Sequence, residues 1–153
     1  SSSLMLISDA GKAVYFNEKD ARPMGRDTRG VKGITLEENQ SVIALIMPNK
    51  DNEILTVSEN GFGKRSKVED FRKTKRGAKG VIAMQLSERN GKLISANQVS
   101  DEDQVILISD KGTLVRTKVS EISVIGRNTQ GVRVIKLKAN EKLNGMALAL
   151  END

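Results

Sequence analysis

Apolar residues in this chain come in short runs rich in Val and Ile, broken by polar or glycine-containing stretches, and none keeps a 3.6-residue period over helical length. Runs of that length and composition predict strands, because β-branched side chains fit a pleated, half-buried surface. With the second copy's 63–67 read as a strand by its place in the repeat, the predicted strands fall into three sets of four, at 4–7, 13–17, 31–36 and 42–47, at 54–57, 63–67, 81–86 and 93–99, and at 105–108, 114–118, 132–137 and 143–150. The expected fold class is all-β, with three four-stranded antiparallel units over residues 4–50, 51–101 and 102–153.

Two landmarks recur in step with these sets. Between the first and second runs stand Ser8-Asp9-Ala10-Gly11, Ser58-Glu59-Asn60-Gly61 and Ser109-Asp110-Lys111-Gly112, a hairpin turn whose glycine supplies positive φ. Ahead of the third run stand Arg26-Asp27-Thr28-Arg29-Gly30-Val31, Arg76-Gly77-Ala78-Lys79-Gly80-Val81 and Arg127-Asn128-Thr129-Gln130-Gly131-Val132. Turn glycine and loop glycine are 19 residues apart in every copy, and the copies are offset by 50 and 51 residues. One fixed separation held three times by independent landmarks establishes an internal repeat. A unit of this size exposes too much surface to stand alone. The copies must therefore pack face to face in a propeller-like array. The Gly-Gly pair and aromatic signature of kelch repeats are missing, and WD repeats are shorter.

Composition removes several chemistries. The chain has no histidine and no cysteine, so thiolate or imidazole catalysis, thiolate zinc sites and disulfides are excluded. Asp101, Glu102 and Asp103 are consecutive and lack the spaced oxygen ligands of a calcium loop. No carboxylate pair has an acid–base setting. Neither an enzyme nor a cofactor nor a metal site is expected. The longest apolar runs are far too short to span a bilayer and the N-terminus has no signal-peptide pattern, so a soluble chain without a membrane partner is expected.

Charge points to a polyanion. The chain nets +5, and residues 64–80 alone carry Lys64, Arg65, Lys67, Arg72, Lys73, Lys75, Arg76 and Lys79 against Glu69 and Asp70. Crowded cations are relieved by phosphates, whose condensed counterions are then released. Aromatic residues make up 3% of the chain, leaving no platform for unpaired bases. Double-stranded DNA, bound through its backbone, fits better than a single strand.

The stretches SDKGTLVRTKVSEISVIGRNTQGV, at 109–132, and 60–81 closely resemble the C-terminal DNA-wrapping domain of the bacterial gyrase A protein of DNA gyrase, and the resemblance extends over the chain from Leu4. It implies half of a six-bladed β-pinwheel, a propeller-like disc whose neighbouring blades exchange strands and whose basic rim bends duplex DNA. The family's heptapeptide Gln-Arg-Arg-Gly-Gly-Lys-Gly is matched by Thr74-Lys75-Arg76-Gly77-Ala78-Lys79-Gly80, with departures at Thr74 and Ala78 and a charge-preserving change at Lys75. The resemblance places the full box in the first blade of the disc, upstream of this chain. It further implies a non-catalytic part of a topoisomerase that supports negative supercoiling, with the rest of gyrase A and gyrase B as partners, in the bacterial cytoplasm and associated with the nucleoid. The rivals are a propeller-like protein-interaction module and the equivalent domain in the A-type chain of topoisomerase IV.

The candidate DNA contacts are the loop residues Arg26, Arg29, Lys75, Arg76, Lys79 and Arg127, the second-strand residues Lys64, Arg65, Lys67, Arg116 and Lys118, and Arg72 and Lys73 beyond the second strand of copy two. A loop arginine can instead cap backbone carbonyls, and the first Arg of each loop, present in all three copies, is the one expected to be structural. Second-strand cations alternate with residues such as Val115 and Thr117, which predicts charge on one face. Copy one has Val14, Tyr15, Phe16 and Asn17 there and is expected to bind DNA less, with Tyr15 a packing residue rather than a nucleophile. Open blade edges predict edge-to-edge self-association.

Overall fold

The computed structural model describes residues 3–17, 34, 36–37, 39–73 and 80–149. Eleven strands are found among them: β1 (Ser3–Ser8), β2 (Lys12–Asn17), β3 (Val42–Ile46), β4 (Glu53–Ser58), β5 (Phe62–Lys67), β6 (Val81–Ile82), β7 (Leu93–Val99), β8 (Gln104–Ser109), β9 (Leu114–Lys118), β10 (Val132–Arg133) and β11 (Leu143–Leu148). Short 3-10 turns at Val68–Asp70 and Val119–Glu121 follow β5 and β9. No described helix is long and apolar enough to cross a membrane.

The strands form three antiparallel sheets, ordered β3-β1-β2-β6, β10-β5-β4-β7 and β11-β8-β9. The second and third copies each keep three strands in their own sheet and lend their third to the sheet of the copy before. Thus β6 pairs with β2 through Lys12 opposite Ile82 and Ala13 opposite Val81, and β10 pairs with β5 through Phe62 opposite Arg133 and Gly63 opposite Val132. These third strands are shorter than the apolar runs 81–86 and 132–137 predicted. Only two residues of each pair before the chain bends away. Among the described residues the third sheet has three strands, and β9 is its outer one.

The Ser-acid-x-Gly turn is the joint of this design. The serine Oγ accepts an N–H from across the turn, as from Phe62 to Ser58 at 3.3 Å. The acid carboxylate accepts from the residue just before its own fourth strand: Ser41 to Asp9, Lys92 to Glu59 and Lys142 to Asp110, each at 3.0 Å. The acid's backbone carbonyl accepts from the next copy, Leu93 to Asp9 at 2.9 Å and Leu143 to Glu59 at 2.8 Å. One tetrapeptide closes its blade and fastens the next.

The two glycine landmarks meet at these junctions. A Cβ on Gly61, at φ +92°, would lie 2.7 Å from the carbonyl oxygen of Ile135, and one on Gly131, at φ +80°, would lie 2.9 Å from that of Gly63. The turn glycine therefore touches the third run of the next copy, and the loop glycine touches the second strand of the previous one. Their constant separation in sequence is the distance along one copy between its contact with the next copy and its contact with the previous one.

Hydrophobic cores lie between sheets. Met5, Ile7, Tyr15, Ile54, Phe71, Met84 and Leu93 fill the first gap, and Leu55, Val57, Val99, Val105, Leu107, Ile122 and Leu143 fill the second. From Ile54 onward β4 is buried at every position, because its sheet is covered on both faces, whereas β8 alternates buried and half-buried. Tyr15 is a core residue, as its sequence context predicts.

Candidate nucleic-acid interface

The fourth strands β3, β7 and β11 contact one another in turn and mark the inside of the array. The lent strands β6 and β10 stand at the opposite margin of their sheets. The described parts of the crossings that lead to them, 68–73 and 119–131, lie at that margin, with Lys73 over Tyr15 of β2 and Ser123 and Ile125 paired with Arg65 of β5.

Lys64 and Arg65 require a correction. Both were expected to face DNA, and both are buried, at 0% and 5% exposure. The reason is the third copy's crossing, which lies along β5: Arg65 N–H donates to Ser123 O at 2.9 Å, Ile125 N–H to Arg65 O at 2.8 Å, and Ser66 Oγ to Ile125 O at 2.9 Å. A strand covered on both faces has no solvent side for alternation to select.

Each buried cation has a full set of internal partners. Lys64 Nζ donates to the carbonyls of Gly126 at 2.9 Å, Arg127, and Thr129 at 3.1 Å, with Thr129 Oγ1 also at 3.1 Å. Its ammonium is the centre about which the 126–131 loop is wrapped. Burial, then the charge of Arg127, bring its pKa from 10.5 to about 7, against an opposing pull from Asp70. Arg65 Nη1 pairs with Glu53 at 3.0 Å and Asp101 at 2.9 Å, while its Nε donates to Ile122 O at 2.8 Å. A buried arginine is tolerable only when its donors are engaged in this way.

Arg127 behaves as expected for the first arginine of its loop. Its Nε donates to Asp70 O at 2.9 Å and its Nη1 to Ile82 O at 2.7 Å, pinning the third copy's loop to the second copy. It stays half-exposed.

Lys67, Arg72, Lys73, Arg116 and Lys118 are exposed. Lys73 lies 5.5 Å from the Tyr15 ring centroid, which places the second copy's crossing over the first copy's β2. Arg116 is steadied by Gln104 at 3.0 Å. On β9 the predicted alternation holds, with Arg116 and Lys118 exposed and Val115 and Thr117 half-buried. Among the described residues every ion pair belongs to Arg65, so none of these five is neutralised by an acid. Arg26, Arg29, Lys75, Arg76 and Lys79 lie outside the described residues.

Sequence reasoning missed a further cationic group, Arg89, Arg133, Lys138 and Lys142, in the turns and strand start where the second and third copies meet. They fall outside the repeated motifs. Their signal was the cross-strand partnership of Phe62 with Arg133, visible only once the lent strand is placed.

Comparison with known proteins agrees with this architecture. The family described as DNA gyrase C-terminal domain, beta-propeller, matches residues 2–49, 52–100 and 103–149. The gyrase A protein of Pseudomonas aeruginosa DNA gyrase is 51% identical over 143 residues, covering 94% of this chain and 16% of its own length. A solved DNA gyrase A C-terminal domain superposes with TM-score 0.86 at 29% identity, over 97% of this chain and 51% of the other. The C-terminal domain of DNA topoisomerase IV superposes with TM-score 0.86 at 24% identity, over 96% of this chain and 46% of that one, a likeness of fold alone. The chain spans 16% to 17% of the length of the gyrase A relatives from Pseudomonas aeruginosa and Escherichia coli.

Proposed function

Because this chain belongs to the DNA gyrase C-terminal domain family, we propose that it binds, bends and wraps duplex DNA on the outer circumference of its pinwheel, without reading sequence. It does so as part of a gyrase A protein working with gyrase B in the bacterial cytoplasm at the nucleoid. The wrap sets the handedness of the crossing between two DNA segments, so that strand passage elsewhere in the enzyme introduces negative supercoils. The domain itself is non-catalytic. DNA cleavage and ATP hydrolysis belong to other parts of the assembly.

One observation carries this reading: Lys67, Arg72, Lys73, Arg116 and Lys118 are exposed on the second strands and crossings, with no acid paired to them among the described residues. Curving 20–30 base pairs through 40–90° takes about 1–6 kcal/mol, which several separate phosphate contacts offset. The test replaces Arg72, Lys73, Lys75, Arg76 and Lys79 with Gln and measures duplex affinity against salt. The slope of log K on log[salt] should flatten by about 0.9 for each phosphate no longer neutralised. An unchanged slope removes this stretch from the interface, and a salt-insensitive complex with an acidic protein favours an interaction module instead.

The unpartnered edge of β9, with Leu114 at 66% exposure, and the exposed Leu45 and Met47 at and beside β3 are where further copies of the repeat would pack. An isolated chain should pair edge to edge there. Light scattering that finds only monomer at high concentration counts against it.

A further inference from the structure

We propose that the cleft between the second and third copies is a second phosphate site, in which Arg89, Arg133, Lys138 and Lys142 hold the backbone of a duplex leaving the circumference. This rests on the DNA-binding reading above and names residues outside the repeated motifs.

The cleft has a volume of about 320 Å³, and all four cations at it are exposed. Three of them are held in place by neutral partners. The guanidinium carbons of Arg89 and Arg133 lie 4.4 Å and 4.7 Å from the centroid of the Phe62 ring, which is itself buried. Arg89 Nη1 also donates to Gln130 Oε1 at 3.2 Å, and Lys142 Nζ donates to Asn60 Oδ1 at 2.8 Å. Stacking and amide contacts fix the side chains without neutralising them.

The one acid at the cleft is occupied elsewhere. Glu141 is 6% exposed, and its carboxylate accepts from Ser109 Oγ at 2.6 Å, Thr113 Oγ1 at 2.7 Å and the Lys138 N–H at 2.9 Å. Those donors, the Lys138 N–H foremost, keep it ionised, with its pKa pulled down to about 2. They also leave it unpaired with the surrounding cations, since among the described residues it makes no ion pair.

Two fixed guanidinium forks beside two ammonium groups suit phosphate, whose oxygens accept in pairs from arginine. Position selects duplex backbone as the source. Arg133 is on β10, the outermost strand of its sheet, and Gln130 belongs to the loop that carries Arg127, so the cleft opens directly beside the circumference. The corresponding place at the first junction has Lys12 opposite Ile82, with Ser87 where the third copy has Lys138. The site is confined to one junction.

The test is Arg133→Gln with Lys138→Gln in the full chain, measured by duplex binding across a salt series beside the Arg72/Lys73/Lys75/Arg76/Lys79 variant. Removing two phosphate contacts flattens the slope by about 1.8, and at 0.1 M salt each removal weakens binding roughly eightfold. Arg133→Lys should retain the slope while weakening affinity, because charge survives and the fork does not. Far-UV circular dichroism and the urea midpoint should not move, since both residues are exposed. An unchanged slope in the cleft variant, with the circumference variant still flattened, overturns this site and leaves DNA binding standing. Unchanged slopes in both overturn DNA binding itself. Inorganic phosphate competing with duplex in wild type, and no longer in the cleft variant, supports the site. An acidic peptide that binds the cleft without displacing duplex overturns it.

Discussion

The two junctions of this molecule use the same backbone plan with opposite chemistry. At the first, Gly80 rests on β2, where a Cβ would lie 2.5 Å from Ala13 O and 3.2 Å from Val14 Cγ2. Val14 is buried and apolar, and the charge of that crossing resides in its sequence, at Lys75, Arg76 and Lys79. At the second, Gly131 rests on β5 in the same way, but the residue in Val14's place is Lys64. There the loop is fastened to an internal ammonium, and its own single cation, Arg127, is engaged by carbonyls of the second copy. Positive charge left to solvent shifts to Arg133 and the adjoining turns. A repeat thus preserves where chains cross while each crossing distributes its cations differently.

The largest break in this comparison should come from Lys64→Val, which gives the second junction the residue of the first. It leaves the carbonyl of Arg127 without its donor, while those of Gly126 and Thr129 each lose one of two, keeping Thr129 Oγ1 and the Gln85 N–H. With the orphan at Arg127 worth about 1–3 kcal/mol and the other two carbonyls each weakened by one lost bond, a drop of about 3 kcal/mol is expected in urea unfolding. A variant as stable as wild type would mean that the loop does not depend on the ammonium.

Next come the glycines. Gly80→Ala and Gly131→Ala each force a positive φ on a residue with a Cβ, at φ +92° and +80°, and each meets a carbonyl oxygen. Destabilisation of about 1–3 kcal/mol is expected, larger for Gly80→Ala because its contact is 2.5 Å against 2.9 Å. The reverse order would show that the second junction is the less forgiving.

The role of Lys64 is sharpened through pH. Its amine loses a proton near 7 in the folded chain and near 10.5 when unfolded. Between those values the unfolded chain holds the extra proton, so this group's contribution to stability rises with pH. Below pH 7 both states are protonated and the burial penalty is present in full. The stability of wild type relative to Lys64→Val should therefore increase from pH 7 towards 10. A constant difference would mean that the amine keeps its proton throughout.

The smallest change in stability, and a clear one in binding, belongs to Arg116→Gln with Lys118→Gln. Both residues are exposed, so the unfolding free energy should stay within about 0.5 kcal/mol. The salt slope should still flatten by about 0.9 per phosphate. A fall in stability without a slope change would make them structural.

Much of the fold was legible before any coordinates. The strand-length runs and the two glycine landmarks carried the all-β repeat, and the Ser-acid-x-Gly turn proved to be the joint between blades. The site was legible only in part. On β9, where one face stays open, alternation gave the exposure of Arg116 and Lys118. On β5 it failed for Lys64 and Arg65, although repeat register held a warning, since Lys64 aligns with Val14 and Val115. Arg65 gave no such sign, because it aligns with buried Tyr15 in one copy and exposed Arg116 in another.

The sequence by itself determined the repeat, its strands, and the positions where only glycine permits close approach, because these depend on local backbone geometry and on spacing along the chain. Which cations of β5 meet solvent was decided by the tertiary structure. A strand's pattern distinguishes its two faces, but whether both are covered depends on a crossing about sixty residues later, as 122–131 lying over β5 demonstrates. Burial on both faces turns a lysine from a surface charge into the anchor of a loop.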